Sequence, residues 1–131
     1  MKKYAFGVDI GGTTIKIGLF ETSGNLIEKW EIPTRTQENG TYILNDIAEA
    51  IAAKLAEKNI SEKDIEGIGV GVPGPVGDDG TVYKCVNLGW SVFNVAIELE
   101  RKTGFKVKVG NDANVAAVSY THLRAHETTL H

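Results

Sequence analysis

Hydrophobic and polar positions alternate twice within the first twenty residues. Tyr4, Phe6, Val8 and Ile10 fall on one side of an extended segment, and Ile15, Ile17 and Leu19 on one side of the next. This is the period-two pattern of two strands that each bury one face. Gly11-Gly12-Thr13-Thr14 stands between them, so the chain reverses in a β-hairpin whose turn is poor in side chains. Glycine is expected to supply the positive φ of that turn. Ser23-Gly24-Asn25 marks a second turn, and Leu26 to Ile32 a third strand that ends at Pro33, which predicts three antiparallel strands in a row.

Residues 34 to 40 are polar and read as a connecting loop. The period then changes. Ile43, Ile47, Ile51 and Leu55 recur four apart, with Leu44, Ala48 and Ala52 beside them, which predicts one amphipathic helix of about five turns over 41 to 58. Lys54 and Lys58 suit its carbonyl end, and Asn59 its stop. The apolar run Ile65 to Val72 follows. A strand, a helix and a further strand imply a crossover into a parallel position, so the fold class is α/β. Gly69-Val70-Gly71-Val72-Pro73-Gly74 spells the dinucleotide fingerprint G-x-G-x-x-G. That fingerprint requires a helix starting at its glycines, whereas Pro73, Pro75, Gly77 and Asp78-Asp79-Gly80 dictate a loop. Beyond it the pattern predicts a strand over 81 to 86, a helix over 94 to 102 capped by Asn94 and ended by Thr103-Gly104, and a strand over 106 to 110.

With 131 residues the chain fits one domain with a real core, and 42% hydrophobic and 24% charged residues is an ordinary soluble composition. A net charge of −3 with no basic stripe argues against nucleic acid as a partner and favours a small molecule. No apolar run approaches the roughly 18 residues of a membrane helix. The first strand starts within a few residues of Met1 and leaves no room for a secretory signal, so a cytoplasmic protein without membrane contact is expected. Cys85 is the single cysteine. No internal disulfide can form, and no chemistry is assigned to it.

The glycine turn is the first candidate for chemistry. Gly11 and Gly12 let backbone N–H groups approach an anion without an intervening Cβ, and Thr13 and Thr14 add hydroxyl donors. Asp9 ends the preceding strand beside that site. A carboxylate and a phosphate repel unless a cation lies between them, and Mg²⁺ binds through one or two carboxylates plus phosphate oxygens and water. The same residues also fit a Gly-Gly hairpin with a capping aspartate. Asn87-Leu88-Gly89-Trp90 sets an amide beside an aromatic, which suits a sugar's hydroxyls and C–H patches and equally a capped turn with a core tryptophan. In Asn111-Asp112-Ala113-Asn114 a strand passes into a helix start. There Asp112 is either a cap or a carboxylate aimed into a cleft.

Asp9-Ile10-Gly11-Gly12-Thr13, Gly71-Val72-Pro73-Gly74-Pro75, Asn87-Leu88-Gly89-Trp90 and Asn111-Asp112-Ala113-Asn114 occur in this order. Together they resemble the N-terminal lobe of the ROK family (repressors, uncharacterised frames and sugar kinases), most closely its bacterial glucokinases, over residues 1 to 118. The resemblance implies a ribonuclease H-like lobe of the actin, hexokinase and Hsp70 fold group, a mixed sheet that starts with an antiparallel hairpin and carries packed helices. It implies ATP-dependent phosphorylation of a hexose hydroxyl, most commonly glucose 6-OH. Gly11, Gly12, Thr13 and Thr14 would then hold the ATP phosphates, with Asp9 near Mg²⁺ through water. Asn87, Asn111 and Asp112 would contact the sugar, and Asp112 would serve as general base.

The chain also departs from that family. The second lobe, with the adenosine pocket, further sugar ligands, the Cys/His zinc site and the usual dimer contacts, has no counterpart here, so the chain alone is expected to be inactive. After Ala117 the helix pattern with its usual Gly-Glu pair gives way to Val118-Ser119-Tyr120-Thr121, and all three histidines, His122, His126 and His131, fall in the last ten residues. Residues 119 to 131 are therefore expected to be an adventitious tail. His126-Glu127 begins a zincin-like motif, yet H-E-x-x-H needs histidine where Leu130 stands. Two other functions fit less well. A sugar-sensing ROK repressor would place a helix-turn-helix ahead of the first strand, and a non-catalytic actin-like nucleotide module would not need the Asn111-Asp112 pair.

Overall fold

The computed structural model describes residues 2–77, 79–83 and 88–110. Its elements run β1 (Tyr4–Ile10), β2 (Thr14–Glu21), β3 (Leu26–Pro33), a short helical turn α1 (Gln37–Gly40) and α2 (Ile43–Glu57). A 3₁₀ turn (Glu62–Asp64) leads into β4 (Ile65–Gly71), then β5 (Thr81–Val82), β6 (Phe93–Asn94), α3 (Val95–Thr103) and β7 (Val107–Gly110). The main sheet has the order β3-β2-β1-β4-β7. Its first three strands are antiparallel neighbours, and β4 and β7 add in parallel beside β1. The connection from β3 through α2 to β4 therefore passes over β2 and β1, as the crossover reading requires.

Register shows which face is the core. Val8 pairs with Ile17 and with Val70, Ile17 with Trp30, and Val70 with Val109, so one apolar row crosses all five strands. Phe6, Leu19, Ile68 and Val107 form the next row. Ile43, Leu44, Ile47, Ile51 and Leu55 of α2 are buried in the same cluster, and together these side chains supply the main stabilisation at roughly 25 cal/mol per Å² of apolar surface removed from water. Over the outer part of this face, the Lys54 ammonium lies 4.6 Å from the Trp30 ring centroid. It also binds Glu28, which Lys58 reaches at 3.0 Å. The two lysines expected to serve the helix end thus also fasten it to β3.

The caps follow the sequence signals. Asn59 takes φ 54°, its N–H donates to Ala56 and that of Ile60 to Leu55, the paired bonds of a Schellman stop. The Asn94 side-chain oxygen accepts from the Ile97 N–H at 2.8 Å, an N-cap for α3.

Two expectations change. Gly11 and Gly12 keep φ outside the left-handed region. What requires glycine at 11 is close approach, since a Cβ there would stand 2.9 Å from the Thr14 carbonyl oxygen. Residues 34 to 40 do more than connect. Glu38 and Asn39 adopt φ 52° and 61°, and Gly40 is buried with φ +71°, where an added Cβ would be 2.3 Å from the Leu88 carbonyl oxygen. Of the strand expected over 81 to 86, Thr81 and Val82 are paired, with the equally short β6, through Thr81↔Asn94 and Val82↔Phe93, and residues 84 to 86 lie outside the described residues. A ladder of two pairs is too short to show a period, so β6 was not legible.

Candidate functional site

The carboxyl ends of β1, β4 and β7 meet in one row. Asp9 pairs with Gly71, and Gly71 with Gly110, while Lys16 faces Asp9 across the hairpin. Two interstrand spacings separate Asp9 from Gly110, roughly 10 Å. Asp9 is half-buried and points away from the apolar face that carries Val8 and Ile10, because side chains alternate along a strand. Lys16 occupies the neighbouring position of the same row. The loop after β4 turns at Pro73-Gly74, with no helix at the glycines of the accidental fingerprint, and the Val72 N–H donates to the Gly110 carbonyl at 2.9 Å.

Above this row stands the glycine turn. The Gly11 N–H donates to the Thr14 carbonyl at 3.0 Å, and the Thr34 N–H to the Thr13 carbonyl at 2.9 Å. The Thr34 hydroxyl donates to the Gly11 carbonyl at 2.8 Å. Three carbonyls are thus engaged within the protein, whereas among the described residues the N–H groups of exposed Gly12 and Thr13 have no intramolecular acceptor. Successive unengaged amides in a turn form a concavity for an anion. Asp9, Gly11, Gly12, Thr13 and Thr14 all lie at the end of β1, in the turn that follows it or at the start of β2. Asn87, Asn111 and Asp112 lie outside the described residues, although Gly110, covalently joined to Asn111, belongs to the row.

Thr34 is the residue that pattern reasoning missed. Its one sequence signal is its place directly after Pro33, at the end of the strand that pairs with the turn. Among the described residues no cluster of three His, Cys, Asp or Glu side chains could hold a metal. A hydrated Mg²⁺ would need only one or two carboxylates, and Asp9 is the carboxylate on the strand that leads into the turn.

Trp90 resolves toward the interior. It is 5% exposed, donates its indole N–H to the Gly40 carbonyl at 3.0 Å and stacks edge-on against Phe93 with centroids 5.0 Å apart, so it is a core tryptophan. A cavity of about 660 Å³ between α1, Trp90 and α3 shares no residue with the turn or the Asp9 row. The polar groups of Trp90 and Asn94 that line it are already bonded within the protein. A smaller cavity of about 380 Å³ lies beside β7, lined by Asp79, Gly80, Lys108 and Gly110 among others. The Thr81 N–H donates to the Asp79 carboxylate at 3.0 Å and, with the Thr81 side chain, holds its pKa below the ordinary value. The Asn94 amide donates to the Asp79 carbonyl at 3.0 Å.

Among the described residues no helix is long and apolar enough to cross a membrane. The glucokinase of Halalkalibacterium halodurans is 44% identical over 117 residues, covering 88% of this chain and 36% of that protein. The N-acetyl-D-glucosamine kinase of Aliivibrio salmonicida is 34% identical over 115 residues, with 87% and 36% covered. The chain thus spans little more than a third of the length of these relatives. The crystal structure of a ROK family glucokinase from Streptomyces griseus, in complex with glucose and AMPPNP, superposes with a TM-score of 0.65 at 30% identity over 92% of this chain and 37% of that one. The architecture is accordingly a lobe of the actin-like ATPase fold. The pattern of the ROK family matches residues 5–130, and the chain belongs to that family.

Proposed function

We propose that this chain is the phosphate-holding and base-bearing part of an ATP-dependent sugar kinase, which transfers the γ-phosphoryl group of ATP to a hexose hydroxyl, glucose 6-OH first among them. The observation that carries the reading is the pair of unengaged, exposed amides at Gly12 and Thr13, in the turn that follows the strand carrying Asp9. The names of the relatives, glucokinase and N-acetyl-D-glucosamine kinase, support the reaction class, and the first of them favours glucose.

Phosphoryl transfer asks mainly for positioning and for neutralisation of spread charge. In this scheme the amides of the turn and the hydroxyls of Thr13 and Thr14 donate to phosphate oxygens. Asp9 would hold Mg²⁺ through water, where the cation would supply charge neutralisation for the phosphates. Asn87 and Asn111 hydrogen-bond to the sugar and fix the reacting hydroxyl. Asp112 accepts its proton as the bond to phosphorus forms, which needs little or no elevation of its pKa because the proton leaves late. The remaining residues of such a kinase, which would close the cleft and complete the sugar and adenosine contacts, lie beyond the span matched here.

The test is a titration of the isotopically labelled chain with Mg²⁺ and AMPPNP, following backbone amide resonances. The Gly12 and Thr13 amides are expected to shift first and furthest. No shift at either amide at millimolar nucleotide would remove the basis of the proposal.

A further inference from the structure

We propose that Thr34 is the positioning residue that aims the amide donors of the glycine turn. The inference rests on the turn being the anion site described under the proposed function. Thr34 makes two hydrogen bonds to the turn, from its hydroxyl to the Gly11 carbonyl at 2.8 Å and from its N–H to the Thr13 carbonyl at 2.9 Å. A trans peptide is planar, and its C=O and N–H point in opposite directions. Holding the Gly11 carbonyl toward the Thr34 hydroxyl therefore turns the Gly12 N–H away from Thr34. Holding the Thr13 carbonyl toward the Thr34 N–H turns the Thr14 N–H away likewise.

A two-residue hairpin loop ordinarily closes with a reciprocal pair of bonds between its flanking residues. Here the Gly11 N–H donates to Thr14, but the return bond from the Thr14 N–H to the Gly11 carbonyl is absent among the described residues. The Thr34 hydroxyl takes that carbonyl instead. One side chain thereby withdraws an internal acceptor that would compete with an incoming phosphate for the turn's donors.

The position of Thr34 is itself held from both sides. Pro33 has no N–H, so Thr34 carries the first amide donor past the end of β3. The next residue, Arg35, binds Asp46 in the first turn of α2 through two hydrogen bonds of 2.8 and 2.7 Å, and its guanidinium lies 4.4 Å from the Tyr42 ring centroid.

Inorganic triphosphate is the probe, and the 131-residue chain with its Thr34→Ser, Thr34→Val and Thr34→Ala variants is the material. Affinity is read from the Gly12 amide resonance, and thermal unfolding monitors the fold separately. Thr34→Val keeps the branched shape and the backbone N–H but loses the hydroxyl, and is expected to bind triphosphate about tenfold more weakly, the scale of one misdirected donor. Thr34→Ser retains the hydroxyl and is expected to bind within about twofold of the parent chain. Thr34→Ala reads the same quantity if valine does not fold. Folded hydroxyl-free variants that bind triphosphate as the parent does would overturn the inference while leaving the anion site standing. A parent chain whose Gly12 amide ignores triphosphate would overturn the anion site itself, and the inference with it.

Discussion

Trp90 donates its indole N–H to the carbonyl of Gly40, fifty positions earlier, at 3.0 Å in a buried setting. This bond joins α1 to the segment ahead of β6, and Gly40 suits it because its φ of +71° and the nearby Leu88 carbonyl leave no room for a side chain. Trp90→Phe keeps most of the ring but strands the Gly40 carbonyl, and is expected to destabilise the fold by about 1 to 3 kcal/mol. Urea unfolding measures it. A loss below about 0.5 kcal/mol would mean that water replaces the indole at no cost.

Gly11→Ala tests close approach without a conformational penalty, because Gly11 does not use positive φ. The new methyl would stand 2.9 Å from the Thr14 carbonyl oxygen, so the backbone of the turn must open. A destabilisation of about 1 to 3 kcal/mol is expected, together with weaker binding of triphosphate. Unchanged affinity in the folded variant would show that the turn tolerates this distortion.

Asn94 performs two tasks with one amide, accepting from the Ile97 N–H at 2.8 Å and donating to the Asp79 carbonyl at 3.0 Å. Asn94→Ala removes both and is expected to cost about 1 to 2 kcal/mol, the range of a lost N-cap. Asn94→Asp preserves the cap alone and is expected to fall between the parent and alanine. An aspartate variant as unstable as alanine would show that the tie to Asp79 outweighs the cap.

Glu28 gives the fold an acid-sensitive fastening. Hydrogen bonds from Lys54 and Lys58 hold its carboxyl below the ordinary carboxylate range, and the same contact with Glu28 raises Lys54. A lowered carboxylate pKa contributes stability that is present above the unfolded value, about 4.3, and is lost as pH falls through the folded value. The Lys54 contribution is present below the ordinary lysine value and fades only as pH rises through its raised one. The thermal midpoint is therefore expected to drop more steeply on acidification below about pH 5 in the parent than in Glu28→Gln. Parallel slopes would assign the acid sensitivity elsewhere.

The chain alone is expected to give no glucose phosphorylation above background in a coupled ATP assay, because nucleotide and sugar need to be held and desolvated together between two walls. Turnover by the chain that disappears in Asp112→Asn would show that one wall suffices and would confirm the base.

The strands and helices were legible wherever a period ran long enough to declare itself. β1, β2 and α2 carry three or more apolar positions at fixed spacing, and the structure places each within one or two residues of its expected bounds. Asn94 and Asn59 were readable as caps because capping is local chemistry. The turn was found for a partly mistaken reason: its glycines suggested positive φ, whereas Gly11 answers to a carbonyl across the loop. Thr34 was hidden because its importance depends on the register of β3 against β2, which places it beside Gly11 and Thr13 although it lies more than twenty residues away in sequence. The Asn87-Trp90 stretch left two readings open, and for Trp90 it is burial that identifies a core ring, while Asn87 lies outside the described residues.

β3 forms the border of the main sheet, with no strand outside it among the described residues. Such a border is a template on which another extended chain can assemble. Lys29 and Glu31 present alternating charge on its open face, and Pro33 ends it without a backbone donor. A second copy would have to desolvate both charges to dock there. The border strand is thereby protected against edge-to-edge aggregation by its own side chains.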